Sequence, residues 1–178
     1  ALGVPFDPAL GPLVPYLGPG GEIKKCPSFR PGLNAFEAGC GGYGYNEVYI
    51  GGRGDLYDYF SDPKSAQTSL SLDDGKALAL SSLVMFADSG VAYPQGVAEY
   101  SFLEPPFWES PPGTVTAATP DPSVHFRHNG RANVIWADGH VSRESMSQTT
   151  PFSAFGGDNG ALSLGWFGPR VNNADWKN

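Results

Sequence analysis

The sequence predicts an α+β fold that is mostly β in this chain, built on an antiparallel sheet with long loops. Three observations predict it. The 178 residues include 24 glycines and 17 prolines, about twice their ordinary share, and the longest run free of both extends only from Lys76 to Ser89. That leaves no room for a coiled coil, a helical bundle or the roughly 20 consecutive apolar residues of a membrane-spanning helix. Apolar residues fall instead into short runs of strand length, and an Asp-Gly pair joins two of them as a hairpin would. A hydrophobic content of 40% with 13% aromatic residues supplies enough apolar surface to offset chain entropy, which argues against disorder. The length suits one domain over residues 1–178.

Along the chain, residues 1–22 read as an extended, proline-rich lead-in, and Ile23 to Ser28 as a short strand or turn carrying Cys26. Residues 29–42 form a loop between Cys26 and Cys40. Tyr43 to Ile50 alternates aromatic or aliphatic residues with small or polar ones and reads as a strand. A polar insertion follows over 51–75, with Asp55, Asp58, Asp62, Asp73 and Asp74. Lys76 to Leu80 leads into Leu83-Val84-Met85-Phe86-Ala87, an apolar run too short for a helix and expected to be a buried central strand. Residues 91–124 read as a proline-rich loop pinned by aromatics such as Phe107 and Trp108.

The clearest local signal is Arg131 to Ser145, in which Asp138-Gly139 separates strands near 132–137 and 140–145. A two-residue type I′ turn there would set Ala137 opposite His140, Trp136 opposite Val141 and Val134 opposite Arg143. The tail over 146–178 holds Phe152, Phe155, Trp166, Phe167 and Trp176 among glycines, as loops folded back on the sheet.

Eleven basic against 18 acidic residues give a net charge of −7, the wrong sign for a phosphate-neutralising surface, so no nucleic-acid partner and no anionic membrane surface is expected. Cys26 and Cys40 are read as one disulfide, which would contribute roughly 3 kcal/mol by restricting the unfolded chain and would imply an oxidising compartment. The alternative is a pair of unlinked buried thiols.

The run from His128 to Val141 is a histidine, nine residues, then Asp138-Gly139 and a strand. It resembles the hallmark of the prepilin-type processing-associated H-X9-DG domain, found in pseudopilin-like proteins of type II secretion and type IV pilus systems. Cys26-Pro27-Ser28, Tyr43-Gly44-Tyr45-Asn46 and Phe86-Ala87-Asp88 resemble the same family in the same order, so the likeness spans a core of 23–145. The resemblance implies a pseudopilin-like globular head and a non-enzymatic structural or assembly component at the periplasm or cell surface. Its partners would be other pilin-like or secretion-system subunits. Members carry an apolar N-terminal spine helix, which is absent or truncated in this chain and would supply the only membrane contact.

Candidate chemistry is sparse. His125, His128 and His140 crowd one stretch beside Asp138 and could serve a transition metal, but structural hydrogen bonding by His128, Asp138 and Gly139 is the preferred reading. Calcium, which some secretion pseudopilins hold, has candidate ligands in Asp158 and Asn159 and in the Asp-rich insertion, without a recognisable calcium loop. No nucleophile elbow, zinc-protease helix or phosphate loop is present, and a triad of Ser89, His128 and Asp138 would be an arbitrary choice among many serines. No catalytic residue and no cofactor are therefore assigned. The competing class is a secreted carbohydrate-binding β domain using Trp108, Trp166 or Trp176.

Overall fold

Four antiparallel strands form the main sheet in the order β1-β2-β6-β7: β1 (Tyr43–Tyr45), β2 (Val84–Asp88), β6 (Arg131–Trp136) and β7 (Val141–Ser145). Two small two-stranded ladders flank it, β3 (Val91–Tyr93) with β4 (Gly96–Ala98), and β5 (Val124–His125) with β8 (Leu164–Gly165). The computed structural model describes residues 25–35, 37–51, 79–108 and 119–176. The lead-in over 1–22 and nearly all of the Asp-rich insertion lie outside the described residues. Among the described residues no helix is long and apolar enough to cross a membrane.

The apolar run at 83–87 becomes β2, an interior strand of the sheet, with Leu83, Val84 and Ala87 buried. Its core face packs with Val124, Val134 and Trp136 and with Trp166, Phe167 and Trp176 from the tail. Phe167 stacks on Trp176 and meets Trp136 edge to face. The tail is fastened to the sheet by Val84 N–H donating to Asp175 O at 2.9 Å.

The strand expected over 43–50 stops at Tyr45 and gives way to a single π-helical turn, Glu47–Gly51. Asn46 is the cause. Its fully buried side-chain amide donates to Val84 O at 2.9 Å and to Trp176 O at 2.8 Å. Its backbone carbonyl meanwhile accepts from Ile50 N–H at 3.1 Å, which opens the turn. Gly44, between the two tyrosines, has no space for a side chain: a Cβ would lie 2.7 Å from Phe102 O and 2.9 Å from Leu103 Cδ2.

The expected Asp-Gly hairpin forms, but with a different turn. Asn133 lies opposite Arg143, Val134 opposite Ser142 and Ile135 opposite Val141, one residue away from the register of a two-residue loop. Trp136 O accepts from Gly139 N–H at 2.9 Å and Trp136 N–H donates to His140 O at 3.0 Å, so the loop has three residues, Ala137 to Gly139. A type I′ turn needs positive φ at both central residues, and only Gly139 has it, at +89°. This is the three-residue loop whose last position is left-handed. The two-residue turn of left-handed residues occurs instead at Asn129-Gly130, with φ of 55° and 76°, where His128 and Arg131 exchange backbone hydrogen bonds.

The stretch expected to be one loop over 91–124 contains the β3–β4 hairpin, turning at Pro94-Gln95, and β5. The disulfide does not form. Cys26 and Cys40 are free thiols: Cys26 is drawn into contact with Arg127 and His128, while the Cys40 thiol sits in its own loop, pushed up to about 11 chiefly by burial. The cysteines therefore carry no argument for an oxidising compartment.

Candidate functional site

The polar centre of the described residues lies where β5, the Asn129-Gly130 turn and the end of β2 meet. Asp88, the last residue of β2, is 1% exposed. One carboxylate oxygen, Oδ1, accepts from Arg127 Nη2 at 2.6 Å. The other, Oδ2, accepts from Asn133 N–H at 2.7 Å and lies 3.3 Å from His128 Nε2. The carboxylate thus takes the place of a backbone carbonyl in the ladder where β2 runs out.

Arg127 spends every donor in this knot. Nη2 also donates to Gly42 O at 2.6 Å, Nη1 to Ser89 O at 3.2 Å, and Nε to Cys26 Sγ at 3.3 Å. Its guanidinium lies over the Phe29 ring, 4.9 Å from the centroid, a favourable cation–π arrangement. Nη1 also approaches His125 Nδ1 at 3.4 Å. Since arginine only donates, that ring nitrogen must accept, which requires neutral imidazole. Burial, the Arg127 charge and then His128 push His125 down to about 3.

Cys26, Asp88 and His128 are the one described group of three metal-capable side chains whose ligand atoms lie within 4.8 Å of one another. His128 Nε2 is 3.5 Å from Cys26 Sγ and uses the same nitrogen toward Asp88. A cysteine–histidine–carboxylate relay requires the two partners on opposite ring nitrogens, so the arrangement does not form a nucleophilic triad.

The three histidines named by the sequence take three environments. His125 is half-buried against Arg127 and Phe29, and His128 joins Asp88 and Cys26. His140 stacks on Trp136 at the far end of β6, with Nδ1 2.6 Å from Asp138 Oδ1. Asp138 also accepts from His140 N–H at 3.1 Å, and these hydrogen bonds hold its carboxyl below the usual range. His128 and Asp138 therefore mark opposite ends of β6. Their spacing measures the Asn-Gly turn, the strand and the entry into the second turn.

Of the calcium candidates, Asp158 is exposed and caps a turn at Ala161 N–H at 2.9 Å, whereas Asn159 is fully buried and donates to Thr150 Oγ1 at 3.0 Å. Of the sugar-stacking candidates, Trp166 and Trp176 are core residues and only Trp108, 39% exposed, reaches a surface. There it lines a cavity of about 310 Å3 with Tyr100, Glu104, Asp121 and Phe155. Glu104, raised chiefly by burial, accepts from Tyr100 O–H at 2.6 Å. Both oxygens of Asp121 accept from Ala154 N–H.

Sequence reasoning missed Arg127 and the partnership of Asp88 with His128. One signal was available: Asn129-Gly130 is the strongest two-residue hairpin pair, and it turns the residues just before it back across β6. The chain matches no protein-family model, and comparison finds no similar curated protein and no similar solved structure.

Proposed function

We propose that this chain is the globular head of a pseudopilin-like, non-enzymatic structural or assembly subunit of a type II secretion or type IV pilus-like system, working outside the cytoplasm. One observation carries the reading: the separated segments that resemble the family are structurally interdependent. Cys26 and His128 meet Asp88 in one polar knot, Tyr43 pairs with Asp88 across β1 and β2, Asn46 bonds Val84 O, and Asp138-Gly139 closes the opposite end of β6. Residues spaced this way hold a scaffold together, and surfaces do the work. The test is N-terminal sequencing of the mature protein isolated from its native envelope fraction, with identification of what co-purifies. Processing by prepilin peptidase and recovery with other pilin-like subunits are expected. An ordinary signal-peptidase terminus on a freely released protein would overturn the reading.

The cavity beside Trp108 favours a second reading, a secreted carbohydrate-binding domain. Aromatic faces next to carboxylates suit sugar stacking and hydrogen bonding. Binding on a glycan array that is lost in Trp108→Ala would establish it, and an array without hits would dismiss it.

A further inference from the structure

We propose that Cys26, Asp88 and His128 form a binding site for a borderline-soft divalent transition metal such as zinc, with the fourth position open to water. The first argument is geometric. With Zn–S near 2.3 Å and Zn–N and Zn–O near 2.0–2.2 Å, a tetrahedral centre places sulfur and nitrogen ligands about 3.6 Å apart and nitrogen and oxygen ligands about 3.4 Å apart. The observed separations are 3.5 Å for Cys26 Sγ to His128 Nε2 and 3.3 Å for His128 Nε2 to Asp88 Oδ2.

The second argument is that these separations suit ligands better than an ion pair. A charge-assisted imidazole–carboxylate hydrogen bond closes to about 2.7–2.9 Å, as His140 and Asp138 do at 2.6 Å. His128 stands back from Asp88, with its single nitrogen shared between two electron-rich atoms. The third argument is support around the ligands. Arg127 and Asn133 N–H orient the Asp88 carboxylate, Arg127 Nε donates to the Cys26 sulfur, and such outer contacts fix ligand direction in known metal sites. The His128 side chain is 23% exposed while that of Asp88 is fully buried, which gives an ion and a water one path in.

Loading requires Nε2 of His128 to be unprotonated, with the ring proton on Nδ1. The Cys26 thiol proton is released to solvent as the metal–sulfur bond forms. Because the knot is already hydrogen-bonded through Arg127, the metal adds to a folded site.

The proposal does not depend on the assembly role above and can be tested on the isolated chain. Titration with cobalt(II) is expected to give one equivalent of uptake with a thiolate-to-cobalt charge-transfer band, and zinc to raise the melting temperature. Both effects should vanish in Cys26→Ser and persist in Cys40→Ser and His140→Ala. Should Cys26→Ser fail to fold, alkylation in the otherwise intact Cys40→Ser chain gives the answer: zinc at ten times its dissociation constant should slow modification of Cys26 about tenfold, and chelator should restore it. No charge-transfer band, a band that survives Cys26→Ser, or alkylation indifferent to zinc would each overturn the site.

Discussion

The two ends of β6 each carry a histidine–aspartate pair, and they differ in every respect except chemistry. At the Asp138 end the pair is short, 2.6 Å between His140 and Asp138, with side chains 46% and 35% exposed. At the Asn129-Gly130 end His128 and Asp88 are 3.3 Å apart, but Asp88 is fully buried and tied to Arg127 and Asn133 as well. An exposed pair gains little, because water screens it and serves either partner equally well. A buried carboxylate has no such substitute, so losing it leaves the Arg127 charge stranded. Burial and connectivity, not distance, decide which end holds the fold.

The largest expected effect follows from that contrast. Asp88→Asn should lower stability by about 3–5 kcal/mol, the cost of leaving one partner of a buried ion pair uncompensated, read from denaturant unfolding. A loss below about 1 kcal/mol would mean the knot is no more consequential than the exposed pair.

Next comes pH. His125 is held neutral, with its folded value near 3 against about 6.5 unfolded. The unfolded chain therefore binds the extra proton, and stability falls as pH drops from 6.5 toward 3. About 1.6 kcal/mol should be lost between pH 6.5 and 5, and His125→Gln should flatten that part of the curve. A wild-type curve no steeper than the variant's would contradict the buried, accepting Nδ1.

The turns provide the case where the two ends should agree. Gly130 and Gly139 both have positive φ, and a Cβ at either would meet nothing within 4 Å. Ala at each should cost only the backbone penalty, about 1–2 kcal/mol. Unequal costs in paired thermal melts would show that one turn carries more than its local geometry. The smallest effect is expected from Asp138→Ala, whose contacts are confined to His140 and the turn backbone. A melting temperature that drops as far as in Asp88→Asn would erase the distinction between the ends.

Much of the sheet was legible because its signals are local. The apolar run at 83–87 and the Asp-Gly hairpin announce β2, β6 and β7 within windows of a few residues. What escaped was decided by distant partners. Tyr43 to Ile50 alternates like a strand, yet the Asn46 amide is claimed by Val84 and Trp176, and the chain turns there. Cys26 and Cys40 are near neighbours in sequence, but Arg127 and His128 occupy the Cys26 sulfur from a hundred residues away. The Asp-Gly register slipped by one because Ala137 joins the loop. Asp138 keeps an ordinary negative φ, a choice that the dipeptide alone does not reveal. In the candidate site His128 could be singled out by its spacing from Asp138-Gly139, while the arginine that organises the knot belongs to no pattern.

The pairing of Tyr43 with Asp88 has a kinetic side. β6 and β7 come together across a three-residue loop, and the Asn129-Gly130 turn brings His128 back to Arg131 just as locally. β1 reaches β2 only across the 38 residues that separate Tyr45 from Val84. Closing that long loop costs more chain entropy before any contact repays it, so the β6–β7 hairpin is expected to assemble before β1 docks on β2. The ion pair formed by Arg127 with Asp88 would then register that late docking, since Arg127 also grips Gly42 O just ahead of β1.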